Sequence, residues 1–208
     1  MSLWDSVGAW FAPTPAVAPD VSPQAQWPIT AAYMLAAGVA QSRVDMYLAP
    51  LNAACREFDI STPMRVAYFL TTVTWESEDF RYTRELWGPD AAQLGYEGRK
   101  DLGNTQPGDG FKFRGGGLIE ITGRYNFQQM SRALFSDDRL LDNPDLLTDP
   151  TTAARSAACF WFRRGCNEVA DIPDFVRVTR LVNGGTNGLT QRTAILTSVM
   201  RSMGLLST

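Results

Sequence analysis

Two glutamates nine positions apart, Glu76 and Glu85, are the residues of this chain best placed to do chemistry. They lie in the stretch 64–85, MRVAYFLTTVTWESEDFRYTRE, which runs almost uninterruptedly apolar from Val66 to Trp75 and then turns acidic at Glu76, Glu78 and Asp79. A carboxyl at the end of a buried helix is costly unless it has a partner or a task. Three influences would raise the pKa of Glu76: apolar neighbours that desolvate it, like charge on Glu78 and Asp79, and the unfavourable end of the helix dipole. A carboxylic acid still protonated near neutral pH can act as a general acid. Glu85 follows in the polar segment RYTRE, where Arg81 and Arg84 would keep it ionised. An acid and a carboxylate base in opposed environments are what glycosidic bond hydrolysis uses. A plain helix end with a solvated acidic cluster is the competing reading, since perturbed acids also occur as structural elements.

The rest of the composition removes other chemistries. The 208-residue chain contains no histidine, which excludes Ser-His-Asp and Cys-His arrangements and histidine-ligated metal. Three cysteines, Cys55, Cys159 and Cys166, cannot make an all-cysteine zinc tetrahedron; their odd number suggests reduced thiols and synthesis in the cytoplasm. A net charge of −3 gives no support for nucleic-acid binding. No metal or cofactor is expected.

A helix must carry Glu76. Thr62 suits its N-cap and Pro63 its first position. Apolar and small residues on almost every side make it a buried helix, although Thr71, Thr72 and Thr74 lower its propensity. Residues 1–28 form an N-terminal arm: MSLWDSVGAWFA, too short and too uncharged for a signal peptide or membrane span, followed by a Pro- and Ala-rich linker. The folded domain is expected over 29–208. Helices are expected over 29–39, 43–58, 89–94, 124–134, 150–164, 175–181 and 189–203. Asp149 and Pro150 cap and start the fifth of these, and Asn183-Gly184-Gly185 stops the sixth. Between them lie a long Gly-rich loop over 95–117, of the kind that is functional or mobile in a compact domain, and a short strand over 118–122, LIEIT. The loop lacks the Gly-Lys-Ser/Thr pattern of a P-loop.

The segments MRVAYFLTTVTWESEDF, RELWG, YEGRKDLGNTQPGDG, FKFRGGGLIEITGRYNF and TRLVNGGTNGLTQR resemble, in order, the successive motifs of family 19 glycoside hydrolases. That family includes chitinases and bacterial or phage peptidoglycan-cleaving enzymes, and the YEGR…LGN…GDG loop looks more like the endolysin branch. The resemblance implies a mainly α, α+β lysozyme-like fold: two helical lobes, a small β region and a central cleft. It also implies an inverting mechanism. Glu76 matches the family's acid, Glu85 its base, and Thr122 the residue that helps to hold the attacking water. Asn126 matches a sugar-contacting asparagine, and Asn183 and Arg192 match polar residues lining the cleft. Each of these last has a structural alternative: Thr122 ending a strand, Asn183 ending a helix, Arg192 pairing with a nearby acid.

Three positions depart from the family pattern. Trp75 stands where a histidine usually precedes the acid, Gly116 interrupts the usual Gly-Arg-Gly, and Glu120 replaces a glutamine. Trp75 and Glu120 are expected to line the substrate site. Glu120 would add a carboxylate that further raises the pKa of Glu76 or takes the base role itself.

The expected activity is hydrolysis of the β-1,4 bond between N-acetylmuramic acid and N-acetylglucosamine in peptidoglycan by a monomer, causing bacterial lysis. A chitinase, a lytic transglycosylase and a degenerate glycan-binding module of a phage or secretion apparatus are the alternatives. Without a signal peptide, access to the periplasm or cell wall would need a phage holin or a secretion system.

Overall fold

The computed structural model describes residues 27–207. The expected arm lies outside the described residues apart from Trp27 and Pro28; the Trp27 amide donates to the Ser61 carbonyl at 3.1 Å. The described chain is mostly helical with almost no strand. Its elements are α1 (Ala31–Ala36), α2 (Gln41–Glu57), α3 (Pro63–Glu76), α4 (Ala91–Leu94), α5 (Asp109–Lys112), α6 (Arg124–Phe135), α7 (Arg139–Asp142), α8 (Pro150–Arg163), α9 (Cys166–Asp171), α10 (Phe175–Asn183) and α11 (Leu189–Ser202).

The helix carrying Glu76 is the centre of the fold. Thr62 caps α3 by accepting the Arg65 amide, Pro63 opens it, and residues 66–74 are all buried. α3 packs against α8, α9, α10 and α11, while α2 lies along α8. Phe69 meets Trp161 of α8 edge-on at 5.5 Å, and Tyr68 meets Phe175 of α10 at 5.0 Å. Threonines are tolerated here because burial against four helices outweighs their weak intrinsic preference. Cys55, Cys159 and Cys166 are free and buried, and burial pushes each thiol up to about 12. Such thiols are inert core residues.

The structure corrects two sequence expectations. Residues 118–122 are not a strand: β pairing in this region consists of the isolated bridges Arg84–Gly116 and Gly116–Ile121. Leu118, Ile119 and Ile121 are all buried, and Glu120 adopts φ 51°, so the segment is a tight turn rather than an alternating ribbon. The 95–117 segment is also no open loop. It contains a 3-10 turn, Lys100–Leu102, and α5, tied down by polar hubs. Asn104, fully buried, donates to the Tyr96 carbonyl at 2.9 Å and accepts the Arg124 amide at 2.8 Å. Glu97 accepts the amides of Gly108 and Gly110, each at 2.8 Å. Asp109, buried, pairs with Arg124 at 2.6 Å.

Candidate active site

Glu76 is the last residue of α3, and its side chain is only 6 % exposed. The fully buried Arg192 of α11 donates from Nη2 to Glu76 Oε1 at 2.5 Å and from Nε to the Asn187 carbonyl at 3.1 Å. The Arg192 Nη1 group is buried without a partner among the described residues. Above the guanidinium lies the Trp75 ring, 5.4 Å from it, and Trp75 is itself wedged against Gly188 so closely that a methyl group at Gly188 would overlap the indole. Trp75, expected to touch substrate, is partly exposed and covers the Arg192 side chain with its ring. Arg192, expected to line the cleft or to pair with a nearby acid, forms an ion pair with Glu76.

Burial holds the Glu76 carboxyl above its ordinary value of 4.5; Arg192 opposes the shift by its charge and its hydrogen bond but does not cancel it. Glu78 and Asp79, expected to raise it by like charge, are exposed and do not figure among the causes; nor does Glu120. The chain leaves α3 in a left-handed turn, with φ of 47°, 60° and 62° at Glu78, Asp79 and Phe80. That turn takes the two acids outward and buries Phe80.

Glu85 has different surroundings. Its backbone amide donates to the Gly115 carbonyl at 2.9 Å, and the Gly115 amide returns a 2.9 Å bond to Oε2. Gln93 Nε2 donates to Oε1 at 3.0 Å, and the Tyr96 hydroxyl lies 3.4 Å from the same oxygen. Gln93 is fixed in turn. It closes the Asp90–Gln93 capping box of α4, accepts the Gly88 and Asp90 amides at 3.1 Å each, and donates to the Leu86 carbonyl at 2.6 Å. The arginines expected beside Glu85 make no hydrogen bond to its carboxylate, although the Arg84 charge is felt by it. Arg84 donates to the carbonyls of Arg114 and Lys112 and pairs with Asp145 at 3.2 Å; Arg81 is exposed on the other side of the turn. The Glu85 carboxylate is thus hydrogen-bonded by neutral donors, with Oε1 taken by Gln93 and Tyr96 and Oε2 keeping a lone pair for a water.

Glu120 lies across Gly115 from Glu85. A Cβ on Gly115 would stand 3.2 Å from both glutamate Cβ atoms, a tight fit that would press on both side chains. Thr122 is fully buried and gives its hydroxyl proton to the Glu120 carbonyl at 2.9 Å; its oxygen retains accepting capacity only. Asn126, 2 % exposed, donates to the Thr122 carbonyl at 2.8 Å and leaves Oδ1 buried without a partner among the described residues. Asn183 closes α10: its Oδ1 accepts the Gly185 amide at 3.0 Å, and Gly184 provides the left-handed cap. Among the described residues there is no cluster of side chains fit to hold a metal ion.

No family model matches the chain. Among curated proteins, a Haemophilus influenzae protein named for a glycosyl hydrolase family 19 domain is 32% identical over 105 residues, 50% of this chain and 50% of that protein. Endochitinase 1 of Theobroma cacao is 34% identical over 96 residues, 36% of this chain and 29% of the endochitinase. The chain thus spans half or less of the length of these relatives. Chitinase C from Streptomyces griseus HUT6037 shares the fold at a TM-score of 0.63 and 20% identity, over 84% of this chain and 75% of that one. A bacterial family 19 chitinase does so at 0.59 and 19% identity, over 84% and 92%. The chain thus resembles glycoside hydrolase family 19 proteins over part of its sequence, and shares the fold of family 19 chitinases.

Several residues of the site escaped sequence reasoning. Gln93, Tyr96 and Gly115 hold Glu85, yet only Gln93 had a local signal, the Asp-x-x-Gln capping box at 90–93. The Arg192–Glu76 pair joins residues 116 positions apart, beyond the reach of any periodicity.

Proposed function

We propose that this chain is a family 19 glycosidase that hydrolyses β-1,4 bonds of an N-acetylated glycan with inversion. The observation that carries the reading is the contrast between its two carboxyls, one buried and raised, the other held on both oxygens by neutral donors. Glu76, with Oε1 on Arg192, would protonate the leaving oxygen from Oε2. Glu85 would take a proton from water on the opposite face of the sugar, and that water would attack the anomeric carbon. The Thr122 hydroxyl oxygen would accept a hydrogen bond from the same water, and Glu120 would border it from across Gly115. The buried, unpartnered Oδ1 of Asn126 suits a sugar amide or hydroxyl donor.

The substrate we favour is peptidoglycan, cut between N-acetylmuramic acid and N-acetylglucosamine. The ordered 95–117 segment, with its YEGR…LGN…GDG pattern, supports this reading; the endochitinase names of several relatives favour chitin as the second. Reaching the wall with help from a holin or a secretion system belongs to the same proposal. Mass spectrometry of digested sacculi, run beside chitin oligomers, decides among these. Reducing muropeptides are expected; cleavage of chitin oligomers alone gives the chitinase, anhydro-muramyl ends give a transglycosylase, and no product from either glycan gives a binding module.

A further inference from the structure

The turn between the two carboxylates is the most strained backbone of the described chain. Glu78, Asp79 and Phe80 are three consecutive non-glycine residues at positive φ. L-residues enter that region singly, at a steric cost, and persist there only where the surroundings over-determine them. Part of the restraint comes from the end of α3. Asp79 donates its amide to the Thr74 carbonyl at 2.8 Å, and Phe80 donates to Ser77 Oγ at 2.9 Å. Ser77 Oγ, buried, donates to the Val73 carbonyl at 2.6 Å, while the Ser77 carbonyl accepts the amides of Arg81 and Tyr82 at 2.9 and 3.1 Å.

The remaining restraint comes from α2. Arg43 Nη1 donates to the Phe80 carbonyl. One helical turn further on, Tyr47 packs against the fully buried Phe80 ring at 5.1 Å. Beside this junction lies a cavity of about 190 Å³, bounded by Gly38, Ala40, Ser42 and Arg43 on one side and by Asp79 and Arg81 on the other. The turn therefore has space into which it could relax, and the Arg43 side chain spans the gap.

We infer that Arg43 is a positioning residue for the reaction. By holding the Phe80 carbonyl it keeps residues 78–80 left-handed, and so fixes the path by which the chain leaves Glu76 and delivers Glu85. The inference rests on the acid and base roles proposed above. It assigns to α2, an element that contributes no group to either carboxylate, control over their relative placement.

The test uses the full chain and the soluble glycan fragment that the parent cleaves. Arg43→Met is expected to lower kcat by about 10²-fold, because a misplacement of about 1 Å is enough to do so, with KM within about twofold of the parent. Arg43→Lys, which can still donate to a carbonyl, keeps most of the activity. Glu78→Gly with Asp79→Gly, added to Arg43→Met, restores most of kcat, since glycine takes positive φ without steric cost; the glycine pair alone stays near parent activity. A kcat for Arg43→Met within about twofold of the parent overturns the inference. So does a loss that the glycine pair fails to recover while circular dichroism and thermal midpoint match the parent. If Glu76→Gln is inactive and Arg43→Met fully active, the positioning role falls and the acid assignment stands. If Glu76→Gln keeps parent activity, the acid assignment falls first and takes the inference with it.

Discussion

The two carboxyl sites of this chain are built by opposite means. Glu76 sits at the end of the most buried helix, excluded from water, with one cation bonded to one oxygen. Glu85 sits in irregular chain, half-buried, with an amide, a side-chain amide and a phenol disposed around both oxygens. Burial alone would leave a carboxyl protonated and poorly oriented; a single arginine orients Glu76 at the cost of part of its shift. A lattice of neutral donors orients the Glu85 carboxyl with no cation hydrogen-bonded to either oxygen. On the proposed mechanism the acid would come from a dry helix terminus and the base from a hydrogen-bonded loop.

Removing the acid is the largest way to break this contrast. Glu76→Gln is expected to lower turnover by about 10²–10⁴-fold with the fold intact, measured as product release from soluble glycan alongside circular dichroism. A folded variant with parent turnover would remove Glu76 from the mechanism.

The loop side should give a smaller effect. Gln93→Leu strips one donor from Glu85 Oε1 and one from the Leu86 carbonyl. Hydrogen bonds to charged groups are worth about 1.5–3 kcal/mol, so kcat should fall roughly tenfold or more. Gln93→Glu should do worse, because it faces one carboxylate with another. Equal activity in parent and Gln93→Leu would mean that the donors around Glu85 do not position it.

The subtlest change concerns pH. On the proposed mechanism Glu76 acts protonated, so activity should fall as pH rises through its raised pKa, placing the alkaline limb above the ordinary carboxyl range. Arg192 lowers that pKa, so Arg192→Met should carry the limb to higher pH; a limb moving to lower pH would contradict the pairing. The same shift has a stability sign. The folded state binds this proton more tightly than the unfolded one, so the contribution of Glu76 is greatest below the ordinary value of 4.5 and declines as pH rises from there to the folded pKa.

The acid side was far more legible in the sequence than the base side. Thr62, Pro63 and the apolar run mark α3 to its last residue, because cap chemistry and burial act within one segment. The shift of Glu76 was foreseen in direction and in its main cause, desolvation, but not in the absence of a like-charge contribution: a left-handed turn that no propensity signals sends Glu78 and Asp79 to solvent. The base side depends on Gln93, Tyr96 and Gly115 converging on Glu85, and such convergence is a tertiary event. LIEIT failed as a strand because its alternating pattern belongs to a turn buried on nearly all sides, where Gly116 pairs with both Arg84 and Ile121. Arg192 reads as one more polar helix residue until α11 packs on α3 and brings it to Glu76.

The central claim is that one carboxyl donates a proton while the other activates water across the sugar. It is tested most directly by the anomeric form of the first product, followed by proton NMR during early turnover. The account predicts a reducing sugar of inverted configuration that mutarotates afterwards. A first product of retained configuration, or an anhydro-muramyl end, would contradict it.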